Sequence, residues 1–189
     1  MFTVEVNGKH YAVHSAKTHP SFDAKHPEDG SDLMLLYFRN NRNNMNANDV
    51  VHLNSDITLP LVNDVVSVAG YGLTSANWKA RPSSLQEATD LEIVDCQDTP
   101  EWWFHEDPHL ICTKAGPSQA NVCTFDSGSP LFQNETTQIG ILSLGDNDGQ
   151  PLCSNIYAGL TPVAFYYDWI QENLPITKND EEDRANKVE

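Results

Sequence analysis

Positive charge is scarce in this sequence of 189 residues. Lysine and arginine together number 11, against 27 aspartates and glutamates, which gives a formal net charge of -16. Nucleic acids and anionic membrane surfaces would repel such a chain, so neither is predicted as a partner. The sequence also lacks an apolar run long enough to cross a bilayer, and its mean hydropathy is -0.47. These features predict a soluble globular protein with one sizeable domain or two small subdomains.

Cysteine is missing from the first half of the chain. The four cysteines in the second half are Cys96, Cys112, Cys123 and Cys153. Their even number and wide spacing are compatible with two structural disulfides, and no zinc-type pair occurs among them. Asn134-Glu135-Thr136 is a glycosylation sequon, which has meaning only in a secreted protein.

The start of the chain lacks the basic and apolar regions of a signal peptide. Cysteine usage and start site therefore disagree. Two interpretations stay open: a cytosolic protein with free thiols, or a secreted protein whose natural N-terminus lies upstream of Met1. We expect the secreted form.

Long amphipathic helices are rare, and short apolar segments separated by turn-forming residues predominate, which favours an all-β fold. A helix is expected over Val163–Leu174, where apolar residues recur at helical spacing between two prolines. An Asn-rich loop covers 40–49, and the charged segment from Lys178 to Glu189 is predicted to be disordered. The best strand candidates are Leu33–Phe38, Val50–Leu53, Val65–Val68, Leu91–Val94, Gly140–Leu144 and Ile156–Leu160.

The segment His105-Glu106-Asp107-Pro108-His109 has the His-Glu-x-x-His spelling of zinc metalloproteases. That chemistry needs both imidazoles on one face of a regular helix. Pro108 removes a backbone donor and disfavours helix at the preceding residue. A zinc hydrolase is therefore a remote alternative, a solvated loop is the better prediction, and no metal is assigned.

A serine lies between an aspartate and a glycine in Cys123–Phe132, which reads CTFDSGSPLF. A tight turn of this kind can present the Ser127 hydroxyl at a barrel rim, where backbone N–H groups face a developing oxyanion. Asp-Ser-Gly is also an ordinary turn sequence, so the tripeptide alone is a modest signal.

Segments along nearly the whole chain resemble the chymotrypsin/trypsin family in order and spacing. His19–Phe22 and Asp32–Leu36 are similar to the strand leading to the family's catalytic aspartate, and Ala69–Thr74 resembles its Gly-Trp-Gly turn. The resemblance rests on collinearity rather than on any single match. Further matches in family order are Leu85–Ala88, Cys96, Ile111-Cys112, Cys123–Pro130, Gly140–Gly145 and Tyr157–Ile170.

This resemblance implies a chymotrypsin-like double Greek-key β-barrel fold, with the first barrel incomplete, followed by a C-terminal α-helix. Met1 corresponds to the middle of the first barrel. The implied division is 1–62 for the remaining part of the N-terminal barrel, 63–162 for the C-terminal barrel, 163–175 for the helix and 176–189 for a disordered acidic tail.

The resemblance also implies catalytic roles. Ser127 corresponds to the nucleophile and Asp32 to the carboxylate that orients an imidazole. The family places its histidine before the aspartate, in an Ala-Ala-His-Cys setting, and no histidine of this sequence lies in such a stretch. The chain is therefore predicted to be inactive as it stands. His19 belongs to the strand before Asp32, while His10, His14 and His26 lie in polar segments typical of a solvated surface.

Further site residues follow from the same correspondence. The oxyanion hole maps to Phe125 and Ser127, and Phe125 replaces a glycine whose N–H donates to the oxyanion. Loss of one such donor typically lowers turnover by about a hundred- to a thousandfold. The uncharged Asn121 at the pocket floor argues against selection for arginine or lysine. The remaining pocket residues are Ser143, Gly145 and Ala158, and the implied disulfides are Cys96–Cys112 and Cys123–Cys153.

Three hypotheses follow for the function. The first is a serine endopeptidase domain whose N-terminal part lies upstream of this sequence. The second is a non-catalytic protease homologue that acts as a secreted protein-binding module, supported by the absent histidine and by Phe125. The third is the zinc hydrolase. The expected partner is a polypeptide substrate or a protein, and no cofactor is implied.

Overall fold

The structure is a computed structural model, and it describes residues 2–6, 8–38, 50–99, 109–145, 153 and 157–175. Within these residues the chain forms ten β-strands and one α-helix. The strands are β1 (Thr3–Val6), β2 (Lys9–Thr18), β3 (Met34–Phe38), β4 (His52–Leu53), β5 (Val65–Gly70), β6 (Gln86–Val94), β7 (Ile111–Lys114), β8 (Pro130–Gln133), β9 (Thr137–Gly145) and β10 (Tyr157–Pro162), and the helix is α1 (Tyr167–Asn173).

Six of the strands close into a barrel. They are hydrogen-bonded in the order β10-β7-β6-β5-β8-β9, all antiparallel, and β10 pairs with β9 to complete the circle. The short strand β4 joins β9 from outside in parallel orientation. Closure leaves the barrel strands without open edges.

The interior of the barrel is a packed apolar core, because inward-facing residues alternate with outward-facing ones along each strand. Leu91, Leu131 and Ile139 are fully buried. Burial of such a side chain contributes about 1.5–3 kcal/mol relative to leaving it in water. The buried cluster comprises Val66, Val68, Ala88, Leu91, Ile93, Ile111, Val122, Leu131, Ile139, Leu142, Ala158 and Leu160.

The first three strands form a separate antiparallel sheet in the order β1-β2-β3. In β2 and β3, both within the described part, no residue is fully buried. Leu33, just before β3, packs with Val163, Tyr166 and Ile170 of the C-terminal segment, and Leu35 of β3 packs against the same cluster.

The C-terminal helix is shorter than the sequence predicts. Ala164–Tyr166 forms a 3₁₀ helix, and α1 follows from Tyr167 to Asn173. Leu174 is extended, as expected for a residue that precedes a proline. No helix in the described part of the chain is long and apolar enough to span a membrane.

The fold class is confirmed as an all-β, chymotrypsin-like architecture with a C-terminal helix. The six predicted strands fall on β3, β4, β5, β6, β9 and β10, whereas β1, β2, β7 and β8 were not predicted. Residue 62 stays a predicted domain boundary, although β4 precedes it and pairs with the barrel strand β9. The Asn-rich segment 40–49 and the tail 176–189 lie outside the described residues, so the loop and the disordered tail stay predictions.

Both implied disulfides are present. Cys96 bonds to Cys112 and Cys123 bonds to Cys153. The second bond fixes the segment that leads into the Ser127 turn. The alternative of free thiols is therefore not what the structure shows.

Candidate active site

Asp32 is held by contacts on both sides of its backbone. The preceding Ser31 is buried and has a positive φ of 60°, a conformation that costs energy for a residue with a side chain. The Ser31 N–H donates to the Tyr166 hydroxyl at 2.7 Å. The Thr161 hydroxyl donates to the carbonyl of Asp32 at 3.1 Å. Residues far apart in sequence therefore fix the Asp32 backbone.

The carboxylate of Asp32 points at β9. Its Oδ2 accepts a hydrogen bond of 2.6 Å from the hydroxyl of Ser143. This bond joins residues 111 positions apart. It holds the partly buried carboxylate in one orientation.

Ser127 lies at the tip of a turn that is tied to the same strand. The Gly128 N–H donates to the carbonyl of Leu142 at 2.8 Å, and the Leu142 N–H donates to the carbonyl of Ser129 at 2.9 Å. Leu142 directly precedes Ser143, the partner of Asp32. Strand β9 therefore brings Ser127 and Asp32 to one side of the barrel, and Ser127 is exposed there.

The neighbouring Asp126 turns its carboxylate inward, away from Ser127. It accepts hydrogen bonds from the N–H of Gly72 at 2.7 Å and from the N–H of Cys123 at 2.9 Å. A Cβ on Gly72 would collide with this carboxylate. Gly72 of the Ala69–Thr74 turn is needed for this close approach, and the two N–H groups provide hydrogen-bond donors for the partly buried carboxylate.

Two backbone amides near Ser127 are unused. The N–H groups of Asp126, Gly128 and Ser129 all donate within the turn or to β9. Within the described residues, the N–H groups of Phe125 and Ser127 donate to no acceptor. These are the two amides that the sequence predicts as an oxyanion hole, and free, fixed donors are what such a site requires.

Phe125 adopts a backbone conformation that glycine tolerates better than other residues. Its φ is +77°, in the left-handed region where side chains are disfavoured. Its ring is about half exposed and packs outside the turn, with its centroid 5.9 Å from that of Trp78. The guanidinium carbon of Arg81 lies 4.3 Å from the centre of the Phe125 ring. The Phe125 ring therefore lies at the surface, at the rim of the Ser127 cavity that it lines.

A cavity of about 200 Å³ opens beside Ser127. Of the predicted pocket residues, Gly145 lines it, whereas Ser143 binds Asp32 and Ala158 is fully buried opposite Gly145. Asn121 lines a neighbouring cavity of about 300 Å³, together with Asp126. The cavity at Ser127 is lined by Val122, Cys123, Thr124, Phe125, Ser127, Leu142, Leu144 and Gly145.

Six of the seven histidines lie in the described residues, and none of them hydrogen-bonds to Asp32 or Ser127. The ring of His19 packs edge-on against Tyr166 and Trp169, and burial lowers its pKa. The Glu28 carboxylate raises the pKa of His26. The remaining four are His10 near Glu5, His14 beside Ser15, His52 exposed in β4 and His109 stacked on Phe165.

The two other predicted sites are placed less completely. The His105–Pro108 part of the zinc-like segment lies outside the described residues, so the predicted solvated loop and the remote zinc-hydrolase alternative are both untested. Asn134 lies exposed in the turn between β8 and β9, with a positive φ of 58°. Its side chain is accessible to a glycan, and the glycosylation stays a prediction.

Sequence reasoning missed several residues that build the site. Leu142 and Leu144 line the cavity. The resemblance included both in the matched strand Gly140–Gly145 but assigned neither to the pocket, and the alternation along β9 was a signal that could have identified them. Tyr166 was assigned only to a helix face, although its hydroxyl holds Ser31. Trp78 and Arg81 belong to the irregular segment between β5 and β6, where no periodic pattern marks a contact with Phe125.

Comparisons with known proteins agree with this geometry. The family model described as Trypsin matches residues 2–170. Coagulation factor XII of Rattus norvegicus is 29% identical over 175 residues, which cover 86% of this chain and 28% of that protein. A CLIP domain-containing serine protease B4 of Anopheles gambiae is 29% identical, with 82% of this chain and 44% of that protein covered. The chain therefore spans less than half of these two relatives.

A venom protein and a solved structure are also similar. The venom plasminogen activator GPV-PA of Trimeresurus albolabris is 30% identical, covering 82% of this chain and 58% of that protein. Mouse neuropsin, described as a serine protease, superposes with a TM-score of 0.71 at 23% identity. That match covers 88% of this chain and 73% of neuropsin, and it supports the fold. The matched family model, the collinear segments and the shared fold together show that this chain belongs to the trypsin family of serine proteases.

Proposed function

We propose that this chain carries a serine endopeptidase site that binds polypeptide at Ser127 but does not hydrolyse it unaided. The observation that carries the proposal is the arrangement around Asp32. Its carboxylate is held by Ser143, yet no histidine of the described residues hydrogen-bonds to Asp32 or Ser127. A general base must lie within hydrogen-bond reach of the proton it removes.

The remaining parts of the site support acyl transfer. The Ser127 hydroxyl is exposed beside a cavity for a side chain, and the amides of Phe125 and Ser127 are available to an oxyanion. In hydrolysis the Ser127 oxygen would attack the carbonyl carbon, and its proton would pass to a base oriented by Asp32. Without that base Ser127 remains a weak nucleophile.

Secretion is part of the proposal. Two disulfides link the four cysteines, and such bonds persist in oxidising compartments. The exposed sequon at Asn134 fits the same compartment. Similarity to a coagulation factor and a venom protein points the same way.

Rescue with imidazole tests the proposal that Ser127 lacks a general base. A fluorophosphonate reacts when the Ser127 oxygen bonds to phosphorus, fluoride leaves and the serine proton goes to a base. We expect labelling of the native chain to match that of the Ser127→Ala control. Added imidazole should raise labelling by about tenfold or more, because it supplies the missing base. Asp32→Asn should weaken this rescue.

The outcomes separate two functions. Rapid labelling without imidazole would show that a base is already present and would refute the proposal that the site is inactive unaided. Labelling that imidazole fails to raise would favour the second candidate, a secreted protease homologue that only binds protein. The observation that favours this second candidate is that no histidine of the described residues hydrogen-bonds to Asp32 or Ser127.

A further inference from the structure

Three exposed side chains meet at the rim of the Ser127 cavity, and we call them the aromatic–arginine cluster: Trp78, Phe125 and Arg81. Trp78 is 62% exposed and Phe125 is 48% exposed, although their rings contact each other edge to face. Packing within the protein does not account for these two large aromatic side chains, because both remain accessible beside a cavity. Exposed aromatic rings of this kind are typical of binding surfaces.

The cluster joins two separate parts of the chain. Trp78 and Arg81 come from the segment between β5 and β6, while Phe125 belongs to the turn that carries Ser127. Phe125 also lines the cavity itself. Any ligand in the cavity therefore lies next to the face on which Arg81 is stacked.

Arg81 supplies a positive charge that is not neutralised by the described residues. Among the described residues, the basic side chains that pair with a carboxylate are His10, His26 and Lys114. Arg81 instead lies over the Phe125 ring. A stacked guanidinium still presents its N–H edge, which matches a carboxylate with two parallel hydrogen bonds. In a chain with a net charge of -16, this makes the rim locally complementary to an acidic group.

We propose that the aromatic–arginine cluster is a specificity site for an acidic side chain of a polypeptide that occupies the Ser127 cavity. The inference rests on the proposed function, since it requires polypeptide in that cavity. The carboxylate of the ligand pairs with Arg81, and its adjoining methylene groups lie against Trp78 and Phe125. The cluster thereby selects a residue that flanks the one in the cavity.

Binding of matched peptides to the full chain tests this site. Fluorescein-labelled peptides carry a central leucine to occupy the Ser127 cavity, and a single glutamate or glutamine is moved through each flanking position. Fluorescence anisotropy measures each dissociation constant, and mass spectrometry checks that the peptides stay intact. At one flanking position, the glutamate peptide should bind about threefold more tightly than its glutamine partner. Added salt should weaken this preference.

Two exposed cations provide a matched pair of variants. Arg81→Gln should abolish the preference for glutamate, whereas Lys79→Gln removes the same charge nearby and should preserve it. Trp78→Ala should weaken the binding of both peptides, because it removes the contact surface. Circular dichroism confirms that each variant is folded.

Each outcome decides between the proposals. Equal binding of glutamate and glutamine peptides at every position overturns the specificity site and leaves the proposed function standing. Equal loss of preference in Lys79→Gln and Arg81→Gln overturns it too, because the effect is then general charge. Absence of binding by every peptide overturns the proposed function and the specificity site together.

Discussion

The barrel of β5 to β10 and the three-stranded sheet of β1 to β3 differ sharply in how they are stabilised. Each barrel strand pairs on both sides around a fully buried core. The three-stranded sheet buries no side chain of β2 or β3 completely, and it contacts the C-terminal segment through Leu33 and the partly buried Leu35. Ser127 is built on the first unit, whereas Asp32 lies at the end of the second. Ser127 therefore has a well-packed foundation, and the Asp32 carboxylate depends on a few individual contacts.

Matched leucine substitutions give the largest expected contrast. Leu131→Ala should lower the free energy of unfolding by about 3 kcal/mol, because it opens a cavity in the barrel core. Leu36→Ala removes a half-exposed side chain from β3 and should cost less than about 1 kcal/mol. Urea denaturation of both variants measures the difference. Equal losses of unfolding free energy would mean that the three-stranded sheet is packed as tightly as the barrel core.

The predictable parts of this molecule are those with local patterns. Strands β5 and β9 carry apolar segments, and the turn around Ser127 is formed by residues adjacent in sequence. The resemblance, rather than the pattern, supplied both disulfides and the pairing of Asp32 with the Ser127 region. The polar strand β2 has no apolar alternation to reveal it, because its side chains stay largely exposed.

Contacts between distant side chains were beyond sequence reasoning. The hydrogen bond from Ser143 to Asp32 joins strand β9 to the segment before β3, and nothing in the local pattern brings these two parts together. The position of Phe125 depends on Trp78 and Arg81, and its left-handed backbone is set by the turn rather than by the residue type. Local propensity carries no information about either arrangement.

Removal of one hydroxyl group should weaken the link between the two units by an intermediate amount. Tyr166→Phe leaves the buried N–H of Ser31 without its acceptor, at a cost of about 1–2 kcal/mol in the free energy of unfolding. It should also reduce the imidazole rescue of Ser127 labelling, because Asp32 follows Ser31 directly. Thermal unfolding and the labelling assay measure the two effects.

Tyr71→Phe is the control for that change, since Tyr71 is exposed. It should alter neither stability nor rescue. If Tyr166→Phe lowers stability but leaves the rescue intact, then the carboxylate of Asp32 is held by Ser143 alone. The contrast between a well-packed foundation for Ser127 and a contact-dependent Asp32 would then be smaller than the packing suggests.

The smallest expected effect is a dependence of stability on pH through His19. Burial lowers the pKa of His19 in the folded chain below its ordinary value of 6.5. Below that value the unfolded chain therefore binds more protons than the folded chain, and stability falls as the pH decreases. The melting temperature should drop between pH 7.5 and pH 5.5, and His19→Gln should reduce that drop.

His26 acts in the opposite direction and provides the control. Its hydrogen bond to Glu28 raises its pKa, so protonation of His26 favours the folded chain, and this contribution is lost as the pH rises through the raised value. His26→Gln should therefore make the drop on acidification larger. His19 packs against Tyr166 and Trp169, where the three-stranded sheet meets the C-terminal segment. If the drop in melting temperature is unchanged in His19→Gln, the acid-sensitive contact lies elsewhere. That result would weaken the view that the contact between sheet and C-terminal segment is the vulnerable part of the fold.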